Sequence, residues 1–311
     1  MFKKSLLFLF WALMFVLAPP TLGKYIQTSC TPNDNQVSLF TDPNFTGKCV
    51  TLDVGVYQHH ENLPVANDAV SSIMIGSNVF ATFCQDGDFK GICNTLFTNA
   101  EDMNMFTVGN DSISSFNVQL RTCLPNSDQV TLFEEPAYGG HCIHLKQGIY
   151  LDPQAIGVDN DTISSVLTNR LKTNVFVTLC EHVKLDGACE ALTTDDANLG
   201  DNKFIKDNMT SSVVVQTTTC LPDAGEITIF GDIAYAGDCV KLPVGDYPNS
   251  RSMKVPAYSI SSILLSDTVR ASICGKENFV DCEGLGINVP NLGKLPIGDN
   301  RTSSIRVSAL N

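Results

Sequence analysis

The stretch DNDTISS, residues 159–165, decides how this chain is read. It is a run of acids, amides and hydroxyls, and it returns in altered form about every 45 residues: NDAVSSIMI (67–75), NDSISSFNV (110–118), NDTISSVLT (160–168), DNMTSSVVV (207–215), AYSISSILL (257–265) and DNRTSSIRV (299–307). In each copy a short polar tag leads into an apolar run. Asn, Asp, Ser and Thr bond readily to nearby backbone and form turns, whereas the run that follows is rich in the β-branched residues that suit a strand.

Outward from each tag lies a second recurring unit. QVSLFTDPNFTGKCVTL (36–52), NVFATFCQDGDFKGICNTL (78–96), QVTLFEEPAYGGHCIHL (129–145), NVFVTLCEHVKLDGACEAL (174–192) and EITIFGDIAYAGDCVKL (226–242) each carry alternating apolar residues into a turn and out again, as a β-hairpin does. TVRASICGKENFVDCEGL (268–285) is a frayed sixth copy. Phe40, Phe133 and Phe230 stand seven residues before Gly47, Gly140 and Gly237, with Phe45, Tyr138 or Tyr235 two before that glycine. A glycine kept at one place in a folded hairpin implies a positive φ or a close approach of another segment. In the even-numbered copies Cys84, Cys180 or Cys274 replaces the leading aromatic, putting a disulfide where ring packing would otherwise serve. Helical periodicity is scarce throughout.

The twelve cysteines, at 30, 49, 84, 93, 123, 142, 180, 189, 220, 239, 274 and 282, fall into three sets of four with nearly equal spacing. The first of each set opens a shared phrase, SCTPNDNQV, TCLPNSDQV or TCLPDAGEI, so Cys123 and Cys220 belong with the residues that follow them. The chain is therefore a threefold repeat, with domains expected at 24–122, 123–219 and 220–311. Four cysteines allow three pairings. The local pairs Cys30–Cys49 and Cys84–Cys93, with Cys123–Cys142, Cys180–Cys189, Cys220–Cys239 and Cys274–Cys282 as their counterparts, are preferred, and the other pairings stay open. A disulfide closing so short a loop stabilises by roughly 3 kcal/mol in the chain-entropy view.

The first 23 residues, MFKKSLLFLFWALMFVLAPPTLG, read as a secretory signal peptide: two lysines, an apolar run too short to span a membrane comfortably, then small residues. Export also fits the cysteine count, since disulfides persist outside the cytosol. Loss of Lys3 and Lys4 takes the formal net charge from −13 to −15. That balance disfavours nucleic acid and anionic membranes and favours cations, while 43% hydrophobic residues suffice for packed cores.

An aromatic-x6-glycine hairpin followed by [ND][ND]xx[ST]S, twice per domain of about 90 residues, resembles the βγ-crystallin family. The resemblance covers nearly the whole chain beyond the signal peptide as three domains of two Greek keys each. It implies an all-β fold of three tandem double Greek-key sandwiches, here with a disulfide framework that many members lack. The degenerate tag at 257–262 and Asp281 in place of glycine depart from the pattern.

The resemblance also implies calcium. In that family the two motifs of a domain exchange ligands: the side chain of tag position two and the carbonyl of position three come from one motif, the position-five hydroxyl from the other, and a hairpin carbonyl and water complete the shell. Such a set of hard oxygens suits Ca2+. Carried onto this chain, domain 1 would hold one ion with Asp68, the carbonyl of Ala69 and Ser114, and another with Asp111, the carbonyl of Ser112 and Ser71. Domain 2 would use Asp161, Thr162 and Ser211, then Asn208, Met209 and Ser164; domain 3 keeps Asn300, Arg301 and Ser261. The first tag residues Asn67, Asn110, Asn160, Asp207 and Asp299 complete the candidate metal set. Ala257 and Tyr258 lack suitable oxygens, so five sites and one vacancy are expected. The bland alternative is that the tags are only hydrogen-bonded turns, and the second serine, such as Ser72 or Ser165, is read as a structural hydrogen-bonder.

Five N-x-[ST] sequons occur, at Asn44, Asn110, Asn160, Asn208 and Asn300, four of them inside tags. Only Asn44, in a hairpin turn, is expected to carry a glycan. DGDFKG (86–91) falls short of an EF-hand loop because Lys90 and Phe97 stand where oxygen ligands are needed. The His59-His60 pair and His141-x-x-His144 are read as strand or surface residues rather than zinc ligands. No G-x-S-x-G, P-loop, H-E-x-x-H or dinucleotide motif is present, so the chain is expected not to be an enzyme.

Three functions fit these features: a secreted calcium-binding structural protein of an extracellular matrix or coat, a calcium-dependent adhesion or glycan-binding module, and a secreted toxin or antimicrobial protein. The only tryptophan, Trp11, lies in the signal peptide, which weakens the glycan reading. Acidity weakens the third.

Overall fold

The computed structural model of the chain describes residues 30–168 and 174–310; the expected signal peptide and Trp11 lie outside them. The architecture is all-β, in three like domains. In domain 1, strands β1 (Gln36–Asp42), β2 (Thr46–Asp53) and β4 (Ser72–Ile75) form one sheet in the order β2-β1-β4. Strands β3 (Gly55–Tyr57), β5 (Val79–Cys84), β6 (Cys93–Leu96) and β7 (Ser115–Leu120) form the other in the order β3-β7-β5-β6. The third strand of each Greek key leaves its own hairpin for the opposite sheet: β3 pairs with β7, and Ala100 bridges to Ile73 on β4. This crossing locks the two motifs together.

Domain 2 repeats the plan with β8 (Gln129–Glu135), β9 (Gly139–Lys146) and β11 (Ser165–Leu167) against β10 (Gly148–Tyr150), β12 (Val175–His182), β13 (Asp186–Leu192) and β14 (Ser212–Thr217). Domain 3 follows with β15 (Glu226–Phe230), β16 (Cys239–Pro243) and β18 (Ser262–Leu265) against β17 (Gly245–Tyr247), β19 (Val269–Lys276), β20 (Val280–Leu285) and β21 (Ser304–Ala309). Among the described residues no helix is long and apolar enough to cross a membrane.

Alternation along the strands accounts for both the cores and the joints between domains. In β5 the side chains of Val79, Ala81 and Phe83 enter the domain 1 core with Leu39, Leu52, Ile73 and Phe116, while Phe80 points the other way. Phe80 is fully buried against Phe133, Tyr138 and Leu167 of domain 2. Phe176 on β12 meets Phe230, Tyr235 and Leu264 of domain 3 in the same manner. Strands buried on both faces thus read as continuous apolar runs.

The six disulfides are the local pairs: Cys30–Cys49, Cys84–Cys93, Cys123–Cys142, Cys180–Cys189, Cys220–Cys239 and Cys274–Cys282. Cys84 and Cys93 lie directly opposite each other across β5 and β6, at the place where Phe40 faces Cys49 in the first hairpin. The hairpin tips carry two consecutive left-handed residues, for example Asn44 and Phe45, or Ala137 and Tyr138. The glycine two residues later is also left-handed, at φ 78° for Gly47 and 70° for Gly140, and in the sixth copy Asp281 takes the same conformation at 58°. The expected positive φ is present, and the fold tolerates one aspartate there because Asp is among the residues that reach this region most readily.

Candidate metal centre

Each tag turns the chain into β4, β7, β11, β14, β18 or β21, and its second residue is left-handed in all six copies: Asp68, Asp111, Asp161, Asn208, Tyr258 and Asn300 have φ between 51° and 58°. Asn and Asp tolerate that conformation because their short polar side chains bond locally. The local bond is with the first tag residue: the Asn67 amide donates to Asp68 at 2.7 Å and that of Asn160 to Asp161 at 2.6 Å. The amides of Asn110, Asn208 and Asn300 likewise donate to Asp111, Asp207 and Asp299. In five copies the first two residues are thus one amide and one carboxylate, in either order, a rule visible in the sequence but not used there. Ala257 and Tyr258 break it.

The anchored second residue is aimed at the other motif. Ser71 Oγ lies 3.1 Å from Asp111 Oδ1, and Ser211 Oγ lies 3.1 Å from Asp161 Oδ1. Ser164 Oγ lies 3.3 Å from Asn208 Oδ1, and Ser261 Oγ lies 3.4 Å from Asn300 Oδ1. Ser114 Oγ is 3.1 Å from Asn67 Oδ1 and 3.5 Å from Asp68 Oδ1. The five exchanged side-chain pairs named from sequence therefore all come together. Ala69, Ser112, Thr162, Met209 and Arg301 follow directly in their tags.

Three of these apices gather a further oxygen from the hairpin. The hydroxyls of Ser71, Ser164 and Ser261 also reach the carbonyls of Thr41 at 2.8 Å, Glu134 at 2.7 Å and Gly231 at 3.0 Å. Each hydroxyl has a single proton to donate, yet two acceptor oxygens converge on it. A hard cation would take electron density from all three oxygens at once, so the donor set fits such an ion. Asn110 Oδ1 and Asp207 Oδ1, the position-one oxygens beside two of these apices, are buried without a hydrogen-bond partner. Such orphaned oxygens are costly in a closed structure. Among the described residues no three His, Cys, Asp or Glu side chains gather; each apex instead combines a single tag carboxylate with neutral oxygens.

The sequence reading did not name Glu135, whose carboxyl is held above its ordinary pKa by burial first, then by Asp207 and Glu134. The sixth apex differs: Ser303 Oγ still donates to the Gly275 carbonyl at 3.0 Å, but the facing position is Tyr258, 62% exposed. The following serine is structural, as expected: Ser72 and Ser165 donate to the carbonyls of Asp42 and Glu135 at 2.7 Å and accept from the amides of Phe45 and Tyr138 at 3.0 Å. His144 spends both ring nitrogens within the protein, on Thr131 Oγ1 and the Thr122 carbonyl at 2.9 Å each. His59 lies 3.3 Å from Asp88, on the surface.

No family model matches the chain. It is 28% identical over 144 residues, 45% of its own length and 79% of the other's, to the development-specific protein S homolog of Myxococcus xanthus. It is 30% identical to the N-terminal domain of protein S, covering 27% of this chain and 97% of that one, with a TM-score of 0.25. It is 28% identical to a βγ-crystallin domain from Flavobacterium johnsoniae, covering 27% of this chain and 94% of that one, with a TM-score of 0.26. The chain belongs to the βγ-crystallin family. Residue identity and the six hairpin-and-tag units place it there. Its disulfides are regular, one to every hairpin unit.

Proposed function

We propose that the chain is an exported, non-enzymatic structural protein in whose domains the paired Greek keys are tied together by calcium, at five apices. The ligands are Asp68 with Ser114, Asp111 with Ser71, Asp161 with Ser211, Asn208 with Ser164, and Asn300 with Ser261. The carbonyls of Ala69, Ser112, Thr162, Met209 and Arg301, a hairpin carbonyl and water complete each shell. The observation that carries this reading is the meeting of side chains from separate Greek keys, five times over, with two acceptor oxygens converging on a single hydroxyl proton at the Ser71, Ser164 and Ser261 apices.

The chemistry supplied by the ion is electrostatic cross-linking. Each ion ties a tag to the serine and hairpin of the opposite motif, so its binding free energy becomes folding free energy. With one tag carboxylate and otherwise neutral donors, affinity belongs with extracellular modules, on the order of 10^-4 to 10^-3 M. At about tenfold excess each site would then stabilise its domain by roughly 1.4 kcal/mol. Domains stapled by disulfides and ions suit a matrix or coat. The motifs expected of an adhesion or toxin activity add no observation of their own.

Calorimetric titration of the oxidised chain with CaCl2, paired with thermal melts in calcium and in chelator, tests the reading. About five ions and a rise in Tm on adding calcium are expected. A saturable count of zero or one, or equal melts in both buffers, would overturn it.

A further inference from the structure

Domains 2 and 3 each receive the preceding domain on the tip of their first hairpin. Ala137, Tyr138 and Gly139 in domain 2, and Ala234, Tyr235 and Ala236 in domain 3, are buried there. The carbonyls of these tips are held by side chains across the joint: Asn117 donates to Ala137, Gln119 to Tyr138 and Gly140, and Gln216 to Gly237, at 2.8–3.2 Å. The space at the tip is tight, since a Cβ on Gly139 would lie 2.8 Å from Val56 of domain 1.

Domain 1 has the same tip, and among the described residues no domain is docked on it. Phe40 and Phe45 stand as Phe133 and Tyr138 do, with ring centroids 5.8 Å apart against 5.6 Å, and they pack with Met74 and the Cys30–Cys49 pair. The positions of Ala137 and Gly139 are taken by Asn44 and Thr46, both exposed. These two residues are the acceptor and the hydroxyl of the Asn44-Phe45-Thr46 sequon. In contrast, the threonines of two tag sequons, Thr210 and Thr302, are buried, and Asn208 and Asn300 face Ser164 and Ser261 inside the apices.

The opposite end of the array is also altered. Strand register places Phe80 opposite Gln119 and Thr82 opposite Asn117 in domain 1, and Phe176 opposite Gln216 in domain 2. In domain 3 the same face presents Arg270 opposite Ser308 and Ser272 opposite Arg306. Both arginines are exposed, and Arg306 is turned onto Asp246 of its own domain at 2.7 Å. Charge in place of the buried phenylalanine closes that end.

We propose that Asn44 is the N-glycosylation site of this chain and that its glycan closes the domain 1 docking face against a second copy of the chain. The proposal rests on the export inferred above and is independent of calcium. In the transfer, Asn44 Nδ2 bonds to the anomeric carbon of an oligosaccharide carried on a lipid pyrophosphate. The bond from that carbon to the phosphate oxygen breaks, the amide gives up one proton, and the lipid pyrophosphate leaves. A glycan on Asn44 stands at the position where Ala137 and Ala234 are fully buried in the joints, so docking of another domain and occupancy of Asn44 exclude each other.

The test uses the full chain secreted from a glycosylating eukaryotic host, with all association experiments in chelator. Peptide mapping after enzymatic glycan release in 18O water should mark Asn44 and leave the tag sequons unmarked. An unmarked Asn44 in the secreted chain would overturn the assignment. For the capping role, Arg270→Phe restores the aromatic of the joint at the far end, with Arg270→Leu as the substitute if the first variant fails to show a native-like melt. Sedimentation velocity of that variant should give single chains when Asn44 is glycosylated. With Asn44→Ala added, head-to-tail association should be at least tenfold tighter. Equal association with and without the glycan, or single chains in both at 100 µM on the order of usual transient affinities, would overturn the cap.

Discussion

Replacing Ala257 and Tyr258 by Asn and Asp should create a sixth calcium site. The surrounding parts are in place: Ser303 donates to the Gly275 carbonyl at 3.0 Å, as Ser71 does to Thr41, and only the facing oxygen is missing. Tyr258 also occupies a left-handed conformation, φ 58°, which costs a residue of that type about 1 kcal/mol more than Asp. Being 62% exposed, it gives up little packing when removed. The double substitution should therefore raise domain 3 stability by about 1 kcal/mol in chelator, and by roughly a further 1.4 kcal/mol at tenfold calcium excess. For a domain of this size 1 kcal/mol moves Tm by about 4–8 °C. Calorimetric titration should count about six ions in place of five, and differential scanning calorimetry should show the larger Tm gain in calcium. A gain identical in both buffers, with the count unchanged, would refute the idea that the second tag residue is a ligand and leave it a turn former only.

Two further outcomes follow from the joints and staples. Lys294 of domain 3 bridges to domain 2, 3.1 Å from Asp186 Oδ1 and 2.8 Å from the Gly187 carbonyl, and the Asp186 carboxyl is held below its ordinary value by the Gly187 amide first and then by Lys294. A lowered folded value means the contribution is complete above the unfolded pKa, about 3.9, and is lost as pH falls through the folded one. Lys294→Met should thus flatten the acid limb of Tm against pH slightly, in low salt only, because both groups are exposed. Replacing Cys84 and Cys93 together by serine should destabilise domain 1 by roughly 2.7 kcal/mol, the loop-closure value for so short a ring, as read by urea unfolding.

Much of this was legible because the determinants are local and repeated. Cysteine spacing, the left-handed glycine column and the tag recur at fixed distances, so pairing and strand direction could be read from any one copy and checked on the others. The exchanged pairs Asp111–Ser71 and Asn208–Ser164 needed the family resemblance, since 40 or more residues separate the partners and periodicity says nothing about them. The joints were not legible. Phe80 and Phe133 look alike in sequence as strand residues, and only the three-dimensional stacking of domains shows that one fills the space beneath the other. The frayed sixth hairpin has a physical reason on this view. Among the described residues no domain covers that face: Arg270 is exposed where Phe80 and Phe176 are buried, and the pattern of alternation survives on the inner face alone, at Val269, Ala271 and Ile273. Glu135 went unnoticed because its importance comes from Asp207, which is distant along the chain.

The central claim is that separate Greek keys share a cation through Asp68, Asp111, Asp161, Asn208 and Asn300. Diffraction from crystals of the oxidised chain grown in saturating CaCl2, measured for the anomalous signal of calcium, addresses it directly. The account predicts five peaks, each at 2.3–2.6 Å from one of these side chains, the usual range for this ion, and from the paired serine. Water at all five positions, with no anomalous signal, would contradict it.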